Sequence, residues 1–175
     1  MELLLGCGSR REKQVVPTGL ARDWSKLVTL DITDRHNPDV VWDLNIKPWP
    51  FEDNTFQEVH AYEVLEHLGR QGDFQSFFAD FSEIWRILKD GGWLIGTSPA
   101  WDSKWAWGDP GHTRIITGES LAFLDQSEYT EQVGKTPMTD YRFCYTGDFK
   151  PLYYDKRADT GVYCLRAVKP SRITV

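Results

Sequence analysis

The sequence is short of cysteine, of basic charge and of long apolar runs, and each shortage excludes a class of protein. Its three cysteines, Cys7, Cys144 and Cys164, are an odd number at wide spacing. Without a CxxC pair they supply neither a disulfide framework nor a zinc knuckle, and they read as reduced thiols in a cytoplasm. No apolar run approaches the roughly 18–20 residues needed to cross a bilayer. The opening Met1-Glu2-Leu3-Leu4-Leu5 has no basic flank and breaks at Gly6-Cys7-Gly8, unlike a secretory signal. Lys and Arg number 20 against 26 Asp and Glu, a net charge of −6, which opposes generic affinity for nucleic-acid phosphates. The basic cluster Arg10-Arg11-Glu12-Lys13 weakens that exclusion locally.

What is present suits one globular domain over residues 1–175. The chain is 41% hydrophobic and 26% charged, as folded proteins are, and no repeat or linker divides it. Strands and helices alternate. Leu3–Leu5, Leu27–Ile32, Asp39–Leu44, Glu58–Tyr62 and Trp93–Thr97 read as buried strands. Between the last two, Phe74, Phe77, Phe78, Phe81, Ile84, Trp85 and Leu88 recur at three- and four-residue steps. That spacing predicts a helix from about Asp73, its N-cap, to Lys89, stopped by Gly91-Gly92. Strands joined by helical crossovers imply a parallel α/β sheet. Ser9–Trp24, with Pro17 and Gly19, is poor helix material, so the first crossover is expected to be mostly loop. Further on, Pro99–Gly111 reads as a tryptophan-rich loop and Thr117 as the N-cap of a helix through Leu124. The runs YRFCY, FKPLYYD and GVYCLRAV read as β material able to close the sheet with a hairpin.

Gly6-Cys7-Gly8 follows the first strand, where glycines let backbone amides approach a ligand and where parallel sheets bind one. A nicotinamide dinucleotide site would want G-x-G-x-x-G, but Arg11 stands at the third position, so a nicotinamide oxidoreductase ranks last among the readings. Taken alone, Gly-Cys-Gly is equally a tight turn. However, Asp31 ends the second strand, where a carboxylate can accept from both hydroxyls of a ribose. Asp43 ends the third, where it could accept from an adenine amino group while Leu44 packs on the ring. Each aspartate singly reads as a solvated strand end; three strands ending in ligand-type residues in order point to a nucleoside site.

The blocks LLLGCG, VTLDIT, VVWDLN, PWPFEDNTFQEVHAYEVLEHL and EIWRILKDGGWLIGTSP resemble successive motifs of class I S-adenosylmethionine-dependent methyltransferases, nearest the small type 11 methyltransferase-domain proteins. The resemblance spans roughly residues 2–125, and Asp109–Arg114 is similar to a stretch after the fifth strand in that subgroup. It implies one Rossmann-like α/β domain with a seven-stranded, mostly parallel sheet in the order 3-2-1-4-5-7-6, strand 7 being antiparallel. It aligns Gly6-Cys7-Gly8 with the glycine motif, Gly6 and Gly8 lying against the methionine part of the cofactor. Asp31, followed by Ile32, falls at the ribose, Asp43 and Leu44 at the adenine, and Glu63 near the methyl group. Two positions depart from the pattern: Leu4 stands where most relatives carry an acid, and Arg10 where most carry a third glycine.

Methyl transfer from a sulfonium needs mainly proximity and alignment, helped for a hydroxyl acceptor by a base or a metal. If a helix begins at 63, Glu63, Glu66 and His67 share a face at i, i+3 and i+4, a set able to hold a divalent cation or to form an acid–base cluster. The spacing is similar to the E-x-x-E-H metal motif of polyprenyl-catechol O-methyltransferases and of small-RNA 2′-O-methyltransferases. The latter add a later histidine, a place His112 could fill. An L-E-H ending also occurs in relatives without metal, and the metal reading is not favoured. His67 and His112 are the candidate general bases; His36 sits in a polar turn, and His60 reads as a satisfied core histidine. Trp101, Trp105 and Trp107 either stack on an acceptor or form a hydrophobic flap, and Asp109 and Arg114 either fix a polar acceptor or pair at the surface. The expectation is a methyltransferase for a small-molecule or glycan-like acceptor, with residues 99–150 including a cap over the acceptor. Two alternatives stand beside it: a nucleic-acid (RNA 2′-O or base) methyltransferase, and a non-catalytic cofactor-binding protein. The chain starts at its first strand, lacking helices that cover the cofactor in many relatives, and a second copy in a homodimer could supply that cover.

Overall fold

The computed structural model describes residues 1–173. Seven strands form one sheet: β1 (Glu2–Leu5), β2 (Leu27–Asp31), β3 (Val40–Val41), β4 (Phe56–Tyr62), β5 (Leu88–Pro99), β6 (Phe149–Arg157) and β7 (Thr160–Ala167). Their order is β3-β2-β1-β4-β5-β7-β6. β1 lies parallel to β2 and β4, and β4 to β5, whereas β7 runs antiparallel to both β5 and β6. This is the sheet that the resemblance implies, closed by the β6–β7 hairpin.

Strand alternation divides the apolar residues between two faces. Leu3 and Leu5 join Leu30, Val59 and Leu94 against Phe78, Phe81 and Ile84 of helix α1 (Phe74–Ile87). Leu4 joins Cys7, Tyr62, Ile95 and Cys164 on the other face. No helix covers that second face between β1 and β2. The crossover is irregular, and Val15, Leu20 and Trp24 lie over the sheet instead. It also brings Lys13 down to a buried ion pair with Glu58 at 2.7 Å.

Four local expectations are corrected. α1 begins as expected, with the Asp73 carboxylate accepting from the Ser76 N–H at 3.1 Å, but it ends at Ile87. Leu88 is already paired with Phe56, and Gly91, at φ 66, lies within β5 where the register slips before Trp93 meets Glu58. The two glycines therefore shape an irregularity in the strand; apolar Leu88 gains more from sheet burial than from a last helical turn. β3 has two residues in place of six, because Asp43 starts a turn, its Oδ1 accepting from the Asn45 N–H at 2.9 Å. YRFCY is a pair of turns closed on the Tyr141 carbonyl, with Tyr145 buried and stacked on Phe78 at 4.8 Å. After β5, where a loop was expected, a short helix α2 (Lys104–Gly108) forms. Thr117 caps α3 (Gly118–Ala122) as expected, and a further helix α4 (Gln126–Gln132) follows. All three cysteines are free thiols. Among the described residues no helix is long and apolar enough to cross a membrane.

Candidate active site

The strand ends at the carboxyl edge build a first cavity, of about 290 Å³, whose wall includes Gly6, Asp31, Ile32, Asp43, Leu44 and Glu63. Gly6 turns the chain at φ 56, and a Cβ there would stand 2.5 Å from Val64 Cγ2. Gly8 is not on the wall; its N–H donates to Asp31 Oδ2 at 2.9 Å, and the Thr33 N–H donates to Oδ1 at 3.2 Å. The glycine turn thus holds Asp31 in place, and a hydrogen-bonded carboxylate keeps lone pairs for a ligand. Asp43 is held likewise through Oδ1 by Asn45 at 2.9 Å. The Cys7 side chain packs on the opposite sheet face, leaving only its backbone at the turn. The sequence reading missed Trp42, Asn45, Val64 and Leu68 on this wall; Trp42 and Asn45 flank Asp43-Leu44, so extending the motif by one residue each way finds them. Glu2, an acid near Leu4, lies at the far end of β1 and accepts from Ser25 N–H at 3.0 Å. It does not replace the missing acid.

A second cavity, of about 330 Å³, adjoins the first. Glu63 and His67 line both, and Pro99, Trp105, Asp109, His112, Asp159 and Thr160 complete it. Trp101 and Trp107 stay outside this lining, exposed like Trp105. Arg114 is not in it either: the guanidinium is buried, with Nη1 donating to Asp80 at 3.1 Å and Nη2 to Ser76 at 2.8 Å. Lys47 also pairs with Asp80. Burial pushes the Asp80 carboxyl up and the Arg114 guanidinium down, each partly offset by the pairing.

Between the cavities sits a cluster that differs from the expected helical face. Glu63 takes a left-handed φ of 56, and only one 3-10 turn, Leu65–His67, follows. Glu63 therefore does not share a helical face with Glu66 and His67. His112 comes in instead, because the Glu66 carbonyl accepts from the Thr113 N–H at 2.8 Å and the Arg114 N–H at 3.2 Å. His67 Nδ1 lies 3.0 Å from the Gly111 carbonyl and His112 Nδ1 lies 2.8 Å from the Trp105 carbonyl. A carbonyl only accepts, so each Nδ1 carries a proton and each Nε2 points away from that bond. One ligand atom from each of Glu66, His67 and His112 falls within 4.8 Å of the others. Glu66 is 1% exposed, and neither carboxylate oxygen has a hydrogen-bond partner among the described residues. Burial, with the charges of Glu63 and Asp109 nearby, raises its pKa to about 8.

A seven-stranded sheet of this order, with a ligand cavity over the ends of β1, β2 and β4, defines a Rossmann-like methyltransferase fold. The chain belongs to the methyltransferase-domain family whose model matches residues 3–96. Its fold is similar to that of a SAM-dependent methyltransferase from Archaeoglobus fulgidus, at 14% identity and TM-score 0.54, covering 94% of this chain and 85% of that one. It is also similar to the N-methyltransferase NodS of Bradyrhizobium japonicum WM9 in complex with S-adenosyl-l-homocysteine, at 15% identity and TM-score 0.53, covering 95% and 76%. The [4+2]-cyclase SpnF matches at 16% identity and TM-score 0.55, covering 95% of this chain and 74% of that one. At these identities the likeness is one of fold, and one such fold hosts unlike reactions. No curated protein matches the chain in sequence.

Proposed function

We propose that this chain transfers the methyl group of S-adenosylmethionine to a small-molecule or glycan-like acceptor seated beside Trp105 and His112, under a cap formed within residues 99–150. The observation that carries this reading is the shared wall: Glu63 and His67 line both the nucleoside-type cavity and the cavity beyond it. When bound, the cofactor supplies a methyl group on a leaving group already activated as a sulfonium. Asp31 and Asp43 would accept from the ribose and adenine, each pre-oriented by its own hydrogen bonds. His112, anchored through Nδ1 on Trp105, presents Nε2 as the atom that takes a proton from an acceptor hydroxyl or amine, and His67 stands as the second base. The far cavity carries Glu63, Asp109 and Asp159 and no Lys or Arg among the described residues, which supports a neutral or cationic acceptor over a nucleic-acid backbone. Trp105, 55% exposed, offers a flat face for a ring.

Calorimetric titration with S-adenosylhomocysteine, followed by release of that product from S-adenosylmethionine over a panel of small alcohols, amines and glycans, tests the reading. Saturable binding with turnover on some acceptor, lost in His112→Ala, supports it. Binding without turnover on any acceptor points to the non-catalytic alternative, and turnover on RNA alone to the nucleic-acid one.

A second reading follows from Glu66. An unpartnered buried carboxylate facing two imidazoles whose Nδ1 atoms rest on backbone carbonyls is a donor set suited to a divalent cation, the carbonyls orienting the ligands. Glu66, His67 and His112 would hold it, in place of the set Glu63, Glu66 and His67, and it would lower the pKa of an acceptor hydroxyl. Titration with Zn²⁺ and Mn²⁺ should give saturable binding that weakens about tenfold or more in Glu66→Gln and in His112→Ala. Absence of saturation with both ions removes this reading.

A further inference from the structure

Arg114 belongs to a third cavity, of about 240 Å³, which shares no lining residue with the two above. It lies behind the segment that carries His112. There the Gln71 N–H donates to the Thr113 carbonyl at 2.8 Å, and the Ile115 N–H donates to Gln71 Oε1 at 2.9 Å. We propose that this cavity binds a flat aromatic anion, such as an aryl carboxylate.

The walls select the flat ring. Phe77 and Phe78 come from the first turns of α1, Phe123 from the end of α3, and Tyr141 closes the space between them. The Tyr141 ring stands 5.0 Å from Phe78, 5.2 Å from Phe74 and 5.8 Å from Phe123, in tilted and edge-on arrangements. Such a set leaves slots that a further ring can fill edge-to-face or offset. Of the lining rings Phe74 is 37% exposed, and Phe143, outside the lining and 75% exposed, stands 6.1 Å from it. An apolar concavity rimmed by exposed rings, with few polar groups converging on it, is the ordinary form of a small-ligand site.

The charges select the anion. Arg70 and Arg114 line the cavity against one acid, Asp73, in a chain whose net charge is −6. Asp73 is engaged as the cap of α1 through the Ser76 N–H. Asp80, the partner of Arg114, is shared with Lys47. Arg114 is buried at 3% exposure, its two terminal nitrogens are engaged, and its Nε–H finds no acceptor among the described residues. That Nε–H is closed to solvent as well, so a ligand carboxylate would meet Arg70, with Arg114 adding its charge from behind the wall. Arg70 adds an exposed guanidinium where the ligand enters.

Titration of the full chain with 1-naphthoate, in the presence of saturating S-adenosylhomocysteine, tests the assignment. One-to-one saturable binding is expected, weakened about fivefold or more by Arg70→Glu and by Phe74→Ala. Arg70 is exposed, so Arg70→Glu should melt at the wild-type temperature. The neutral isostere 1-naphthalenemethanol should bind about fivefold or more weakly than 1-naphthoate. The assignment is overturned by absence of saturation, by loss of the probe to S-adenosylhomocysteine, by equal affinity for the neutral isostere, or by unchanged affinity in both variants.

Discussion

His112 Nε2 stands 4.0 Å from Glu66 Oε1, and the main chain, not the pair itself, holds the two groups there. The carbonyl of Glu66 accepts from Thr113 and Arg114, while the imidazole is tied through Nδ1 to Trp105. The turn after β4 and the segment after β5 are thus laced together around a gap too long for a hydrogen bond. A carboxyl and an imidazole kept apart in a dry place are ready to receive something between them, whether a proton, an acceptor atom or an ion.

The gap has a cost that can be measured. Above its raised pKa of about 8, the Glu66 carboxyl is charged, buried and unpartnered. Glu66→Gln, close in shape and neutral, is expected to stabilise the metal-free protein by about 1–3 kcal/mol at pH 8.5. Urea unfolding with a chelator present reads this directly; a loss of stability instead would mean that the carboxylate has a partner.

Asp31 carries a different prediction, for binding. Asp31→Asn keeps the side-chain shape but removes the charge that receives a ligand's hydroxyls and the Gly8 N–H. Affinity for S-adenosylhomocysteine should fall about tenfold to a hundredfold, the worth of charge-assisted hydrogen bonds. Asp34→Asn, a nearby exposed aspartate outside the cavity wall, should leave affinity unchanged. Equal affinities in wild type and Asp31→Asn would move the cofactor elsewhere.

What the sequence disclosed depended on how local each cause was. The α1 stripe and the strands β1, β2, β4 and β5 come from spacings within a few residues, and they stand about where periodicity placed them, unlike β3. The end of α1 was misplaced because Leu88 answers to Phe56 across the sheet, a partner that no local pattern names. That Asp31 and Asp43 share one cavity wall was legible because the carboxyl edge of a wound sheet is a reproducible place, although β3 stops two residues before Asp43. The Glu63–His67 face was not, since one left-handed residue turns Glu63 out of it. Arg114 read as an acceptor contact or a surface pair, but it is buried and its partner Asp80 lies 34 residues away on α1; only the folded chain discloses that pair.

The second sheet face predicts a pH response. His60 is buried between Glu58 at 2.8 Å and the Tyr62 hydroxyl at 2.6 Å, with Lys13 and Glu2 close by. Burial lowers its pKa below 6.5, against the lift from Glu58. In the unfolded chain His60 takes up a proton as pH falls through 6.5; in the folded one it does so only at lower pH. Its contribution is therefore complete above that value and lost as pH falls toward the folded pKa. Glu58, also lowered, titrates below its ordinary 4.5, whereas Glu66, raised to about 8, adds stability as pH falls through the same window of about pH 5 to 6.5, so the share of His60 is the difference between wild type and a His60 variant. As pH is lowered through that window, unfolding free energy should fall in wild type relative to His60→Gln; parallel profiles would contradict the assignment.

The first turn offers the sharpest separation of strain from contact. Gly6 and Gly8 both have positive φ, 56 and 47, but a Cβ on Gly8 meets nothing within 4 Å, whereas one on Gly6 would stand 2.5 Å from Val64 Cγ2. Gly8→Ala should therefore cost only the left-handed penalty, about 1–2 kcal/mol. Gly6→Ala adds a clash inside a packed wall and should cost about 3 kcal/mol or more. Val64→Ala opens that wall, so the double variant Gly6→Ala/Val64→Ala should be more stable than the two single losses sum to, by about 1 kcal/mol or more. Strict additivity would mean that the turn, not the contact with Val64, sets the requirement for glycine. Because Gly6 and Val64 both line the cavity over the strand ends, where the proposed function seats the cofactor, S-adenosylhomocysteine affinity should fall further in Gly6→Ala than in Gly8→Ala.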